Sequence, residues 1–255
     1  MRSLLFSLLL MGGMSAAVST ARAQEQQQQR SGLLTRTVKV GAAAYDYQVY
    51  VPSKIRDQSK LPVIVFLHGI GQRGEGGFVP AREGVANTML RNYLEQIPAI
   101  VLLPQCRRNR YWHEPEMDRM VTESLRQTVS EFGADEARLY LTGVSMGGFG
   151  AWHMASKHPG KFAALVPICG GSPLIAADRF APVARGVGRT PVWVFHGAED
   201  PIVPVSESRR MVAALKAAGG DVRYNEYAGV GHNVWFNVLA EPGLLPWMLA
   251  QRLRG

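Results

Sequence analysis

The stretch Arg138-Leu139-Tyr140-Leu141-Thr142-Gly143-Val144-Ser145-Met146-Gly147-Gly148-Phe149-Gly150 decides the reading of this chain. Residues 138 to 142 read as a short strand. Its carboxyl end runs into Gly143-x-Ser145-x-Gly147, a spacing that holds a serine on a sharp strand-to-helix turn with its hydroxyl exposed. Side chains at 143 and 147 would collide with the adjoining strand or helix, and Gly148 and Gly150 let the following helix lie close to the sheet. In a chain with 27 glycines the five-residue pattern alone is weak, the alternative being a glycine-rich turn with an incidental serine. Its placement between an apolar strand and a helix is what gives it weight.

Working outward, further apolar runs flank this one. Val63 to Leu67 ends in His68-Gly69, and Ile100 to Leu103 ends in Pro104-Gln105-Cys106. Phe162 to Ile168 ends in Cys169-Gly170-Gly171, Val192 to Phe195 in His196-Gly197, and Val222 to Tyr227 is the last. Runs without alternation are strands buried on both faces, as in a parallel sheet between helices. Thr37 to Val40 and Tyr45 to Val51 read instead as an antiparallel pair, with Tyr45, Tyr47, Val49 and Val51 on one face at period two. Helices are expected at Asp118 to Phe132, with Asp118 as its cap, at Glu207 to Ala218 and at Leu244 to Leu253. The class is therefore α/β, with a doubly wound, mostly parallel sheet flanked by helices. In such sheets function collects at the carboxyl ends of the strands.

A serine hydroxyl needs a base, and the base needs an orienting carboxylate. His232 in Gly231-His232-Asn233 follows the last strand, and Asp200 in His196-Gly197-Ala198-Glu199-Asp200-Pro201 follows the strand before it. The chain order Ser, Asp, His is that of α/β hydrolases. Glu199 and Asp178 compete with Asp200, which the following Pro201 and Val203-Pro204 favour. An oxyanion would need fixed donors: the backbone N–H of Met146, directly after the serine, and that of Ile70, with Gly71 as the alternative.

With these pieces on the page, the chain resembles α/β-hydrolase esterases of the feruloyl-esterase and polyhydroxybutyrate-depolymerase-like branch. The matching residues are Leu67-His68-Gly69, Pro104-Gln105-Cys106, Gly143 to Gly148, Cys169-Gly170-Gly171, His196 to Asp200 and Gly231-His232, spanning residues 45 to 235. The resemblance implies serine-dependent ester hydrolysis with no metal or organic cofactor. Members cleave different esters, so fold and triad do not fix the substrate. The usual strand order of this fold also implies that Cys106 and Cys169, the two cysteines of the chain, stay unpaired. Two strands would stand between theirs, a separation of roughly 14 Å, whereas a disulfide needs Cα atoms within about 7 Å.

The chain between Gly171 and Pro191 is too short for a lid domain, which leaves the serine open and argues against a lid-gated lipase. The leading expectation is a serine carboxylesterase acting on short-chain, acetyl or feruloyl esters, free or polysaccharide-linked. The competing readings are a prolyl-oligopeptidase-like peptidase, which lacks its propeller here, a polyhydroxyalkanoate depolymerase, and a non-catalytic binding protein on a hydrolase scaffold.

Candidates for lining the substrate are Tyr111 and Trp112, after the strand ending at 103, and Trp235, three residues past His232, each of them equally readable as a packing residue. Arg107, Arg108 and Arg110 share that first loop; either they attract an anionic substrate or, the preferred reading, they solvate a loop. The six histidines show no common ligand spacing, so no metal is assigned.

Composition closes off other classes. The 255 residues are 47% hydrophobic and 19% charged, ordinary for a globular domain. The net charge of +8 is spread without a basic arm or zinc-finger spacing, so no nucleic-acid partner is expected. Residues 1–23 carry Arg2, an apolar core from Leu4 to Leu10 extended to Val18, and small residues at Ala21 and Ala23. This is the pattern of a cleaved signal peptide, the glycines and serines making a membrane anchor the poorer reading. Residues 24–33 read as a flexible Gln-rich leader and 34–255 as the catalytic domain, secreted or periplasmic, with no stable membrane insertion. Nothing in the sequence sets the oligomeric state.

Overall fold

The computed structural model describes residues 31–53, 60–76 and 93–253; the signal-peptide reading of 1–23 and the leader to residue 30 lie outside them. Eight strands among these residues form one sheet: β1 (Gly32–Val40), β2 (Ala43–Val51), β3 (Val63–Leu67), β4 (Ile100–Pro104), β5 (Leu139–Val144), β6 (Ala164–Ile168), β7 (Val192–Gly197) and β8 (Val222–Tyr227). The helices are α1 (Pro115–Phe132), α2 (Met146–Lys157), α3 (Ala181–Val187), α4 (Ser206–Ala217), α5 (Trp235–Leu239) and α6 (Leu244–Ala250). The spatial order is β1-β2-β4-β3-β5-β6-β7-β8. β1 and β2 pair antiparallel, as do β2 and β4, and every later pairing is parallel. This is the α/β-hydrolase architecture.

The continuous apolar runs have a direct cause. In β3, Val63, Val65 and Leu67 join the core cluster that receives Met117 and Met120 of α1, Met154 of α2 and Met211 of α4. Ile64 points the other way, into the cluster holding Val238 of α5 and Met248 of α6. Both faces are covered, so neither face of the central strands needs polar residues. The edge strands β1 and β8 are the exceptions and mix half-buried with exposed positions.

Three boundaries differ from the sequence reading. β1 begins at Gly32, with Leu33 paired opposite Tyr50, so the ordered domain reaches back into the Gln-rich leader. α1 begins at Pro115, whose fixed φ suits a first helical position, and Asp118 lies within the first turn rather than at the cap. The Asp118 carboxylate instead accepts a hydrogen bond from His158 Nε2 at 2.8 Å and faces His153 at 3.4 Å, tying α1 to α2. α6 stops at Ala250, because Leu253 turns back to donate its N–H to Ala137 O and the Gln251 carbonyl accepts the Tyr140 hydroxyl.

Candidate active site

Ser145 sits between β5 and α2 with φ 56° and ψ −119°, a backbone conformation that an L-residue holds only when its surroundings force it. The glycines around it are fixed by contact. A Cβ at Gly147 would meet Leu67 O at 1.9 Å, and one at Gly143 would meet Gly147 O at 2.2 Å. Every larger residue is excluded at both places, which is why the turn can press against β3. The Ser145 N–H donates to Ile168 O, pinning the turn to β6.

Asp200, His232 and Ser145 converge from three separate strand ends. His232 Nε2 lies 3.0 Å from Ser145 Oγ, and His232 Nδ1 lies 2.7 Å from Asp200 Oδ2. The other Asp200 oxygen accepts the N–H groups of Ile202 and Val203, each at 2.9 Å. Burial alone would raise the Asp200 carboxyl, but the His232 ring and these two backbone donors outweigh it and hold its pKa below the ordinary value. The carboxylate is thus ionised, buried and fully oriented. Its rivals are elsewhere: Glu199 faces solvent, and Asp178 accepts the Ala181 N–H at the start of α3.

Met146 is the first residue of α2, where backbone N–H groups have no partner within the helix. Ile70 opens a short 3₁₀ turn (Ile70–Gln72) after β3. That loop runs directly past the serine: a Cβ at Gly69 would lie 3.8 Å from Ser145 Cβ. Met146 and the loop that carries Ile70 therefore both adjoin Ser145.

The sequence reading missed what fixes this loop. His68 is buried; its Nδ1 donates to Gly69 O at 2.7 Å and its Nε2 accepts the Cys106 N–H at 3.0 Å. Burial lowers its pKa to about 4, so it is a neutral strut between the ends of β3 and β4. Trp112 takes the packing alternative of its reading. It is only 1% exposed and donates Nε1–H to His68 O at 2.9 Å, with its Cβ packed against Gly150. It braces the loop after β3 from behind and is closed off from solvent. The signal was present in both cases, since each residue sits beside a strand end, but a lone buried His or Trp has no spacing that announces its partner.

Tyr111 and Trp235 are not sealed in the core as Trp112 is. Tyr111 is 43% exposed, stacked on His113 and beneath the Arg73 guanidinium. Trp235, half-buried at the start of α5, meets the His232 ring edge-on at 6.1 Å. The rim arginines are largely engaged: Arg110 pairs with Glu114 and Glu116, and Arg107 stacks 3.9 Å over Tyr45.

Cys169, Asp200 and His232 bring three metal-type ligand atoms within 4.8 Å of one another. Asp200 and His232 are hydrogen-bonded to each other, and burial pushes the Cys169 thiol up to about 12, so it is neutral and a poor ligand. The set does not read as a metal site. Cys106 and Cys169 are both free and buried; β4 and β6 are separated by β3 and β5, as expected.

Comparison with known proteins agrees with this geometry. The model of a family described as phospholipase/carboxylesterase matches residues 110–241, just over half of the chain. Acyl-protein thioesterase 1 of Gibberella zeae is 26% identical over 200 residues, covering 67% of this chain and 83% of that protein. A bifunctional acetylxylan esterase/xylanase of Neocallimastix patriciarum is 26% identical over 172 residues, covering 63% of this chain but 22% of the relative. Among solved structures, a thermostable esterase superposes with TM-score 0.71 at 30% identity, covering 86% of this chain and 63% of its own length.

Proposed function

Because the chain belongs to the phospholipase/carboxylesterase family of α/β hydrolases, we propose that it is a secreted serine carboxylic-ester hydrolase acting on short-chain or hydroxycinnamoyl esters. The observation that carries this reading is the line Ser145–His232–Asp200, with separations of 3.0 and 2.7 Å. Ser145 Oγ attacks the ester carbonyl while His232 Nε2 takes its proton, and Asp200 holds Nδ1–H and balances the imidazolium that forms. The backbone N–H groups of Met146 and Ile70 receive the oxyanion. His232 then protonates the departing alcohol, and a water activated by the same imidazole releases the acid from Ser145.

The names of two relatives, a thioesterase and an acetylxylan esterase, support acyl transfer to water without choosing the acyl group. Secretion rests on residues 1–23; the exported protein should begin at Gln24. Among the described residues no helix is long and apolar enough to cross a membrane.

A fluorophosphonate probe followed by peptide mapping tests the nucleophile, and a panel of nitrophenyl esters, methyl ferulate, acetylated xylan, an acyl thioester and peptide anilides tests the class. Modification of Ser145 with oxygen esters as the best substrates is expected. No labelling, or peptide anilides cleaved faster than esters, overturns the reading.

A further inference from the structure

Behind the Ser145–His232–Asp200 line lies a second imidazole with no solvent exposure at all, that of His196 at the end of β7. Its Nε2 is 2.9 Å from Val203 O and 3.3 Å from Asp200 Oδ2. That carboxylate oxygen is the same one that takes the His232 Nδ1–H. Its Nδ1 is 2.7 Å from the hydroxyl of Ser208, a completely buried residue of α4. Asp200 Oδ2 is therefore held between two imidazoles, one half in solvent and one sealed in the core.

Proton accounting fixes the state of the inner ring. Val203 O and the Asp200 carboxylate can only accept, so Nε2 of His196 carries a hydrogen. Burial lowers the pKa of this ring and opposes a second proton, which leaves Nδ1 to accept from the Ser208 hydroxyl at 2.7 Å, whose one hydrogen also faces Gly170 O at 3.1 Å. The charged and titratable groups facing the ring are Asp200, His232 beyond it, and Glu226, its register partner on β8. Glu226 is itself taken by Arg209 and Tyr224. The ring's one hydrogen is thus shared between Val203 O, which closes the acid loop, and the oxygen on which His232 depends.

We propose that His196 is a positioning residue for the reaction, a buried neutral imidazole whose Nε2–H, fixed by Ser208, fastens the Asp200 carboxylate in the plane that His232 requires. The proposal deepens the serine-esterase reading and rests on it. His196 touches neither substrate nor reacting atoms; it acts through Asp200. The hydrogen bonds to Ile202 and Val203 hold Oδ1, and His196 is the second donor on Oδ2. Without it that oxygen answers to His232 alone, and the carboxylate can rock when the imidazolium forms.

Two measurements test this on the full-length folded enzyme. In the ¹⁵N-histidine-labelled wild type, His196 should show a bare Nδ1 and a protonated Nε2 from pH 5.5 to 9. An imidazolium, or a proton on Nδ1 alone, overturns the proposal, and this holds whether or not any variant folds. The second is kinetic, with nitrophenyl butyrate as substrate. His196→Phe keeps the ring volume but removes the donor; kcat should fall about 10- to 100-fold, the scale of effect expected from misplacing a catalytic group, with KM little changed. The acid limb of kcat/KM should also move, and His196→Gln, which can restore an N–H, should recover part of kcat. A folded His196→Phe enzyme with wild-type kcat and an unmoved acid limb sinks the idea, because a purely packing role predicts lost stability without a change in the pH profile. Failure of the esterase reading itself would look different: no turnover by the wild type, or turnover surviving in Ser145→Ala.

Discussion

Glu199 and Asp200 are adjacent in sequence yet have opposite fates. Glu199 faces solvent, while Asp200 is buried with four donors around its two oxygens. Asp200→Asn should lower kcat by about 10³- to 10⁴-fold, since the amide cannot hold the His232 tautomer or balance its charge. Glu199→Gln should leave kcat near wild type; steady-state kinetics of the two purified variants gives the ranking, and the reverse order would assign the acid to Glu199. Ser145, Asp200 and His232 were legible in the sequence because a motif, a chain order and three strand ends agreed. His68 and His196 were not, since a neutral buried imidazole is defined by what it touches. The His68 ring has a measurable consequence. An unfolded histidine titrates near 6.5, whereas burial brings His68 to about 4. Between those values the unfolded chain binds a proton that the folded one refuses, so stability falls as pH drops through this window. The loss approaches about 3 kcal/mol when complete. Urea unfolding at pH 7 and pH 4 should show this component, and His68→Gln should remove it; an unchanged difference between the two pH values in that variant would contradict the strut.

At the scale of elements, periodicity located the strands because both faces of the sheet are covered. It misplaced the start of α1, since Asp118 has the composition of a cap but is used to join α1 to α2. The loop between β4 and α1 left lining and packing open for both of its rings. Its aromatic pair points in opposite directions, Tyr111 outward and Trp112 inward, and no sequence rule divides two neighbouring rings on an irregular loop. The inward ring makes this loop the back wall of the turn that carries Ile70, through the indole N–H on His68 O. Trp112→Phe keeps most of the volume but leaves that buried carbonyl without its donor. A loss of about 1–3 kcal/mol in unfolding free energy is expected. The same change should lower kcat more than it raises KM, because the loop that carries Ile70 loosens. Urea denaturation combined with kinetics on a nitrophenyl ester separates this from a substrate-lining role, in which KM would rise with stability unchanged.

Over the whole molecule, the sheet gathers loops from β3, β4, β6, β7 and β8 at the edge that bears Ser145. The exposed large apolar residues of these loops include Ile70, Tyr111, Ile175, Ile202 and Phe236. The segments that follow these strands thus leave apolar side chains exposed. The one helix in the chain between β6 and β7, α3, buries Val183, Ala184 and Val187 in the core shared with α2 and α4, so that connection is spent on packing rather than on covering the serine. An apolar rim favours a substrate with an apolar body, a short acyl chain or an aromatic ring, that can rest against a few side chains. On the open-site reading of residues 171 to 191, each added carbon beyond the rim stays in water and contributes little binding. Burying a methylene contributes about 0.8 kcal/mol, close to fourfold per carbon when the contact is made. On this argument kcat/KM should climb from the C2 to the C4 nitrophenyl ester, with methyl ferulate also accepted, and should then flatten or fall before C16. A specificity constant still rising at C16 by several-fold per pair of carbons would mean that an acyl channel exists, and that the open-site reading of residues 171 to 191 is wrong.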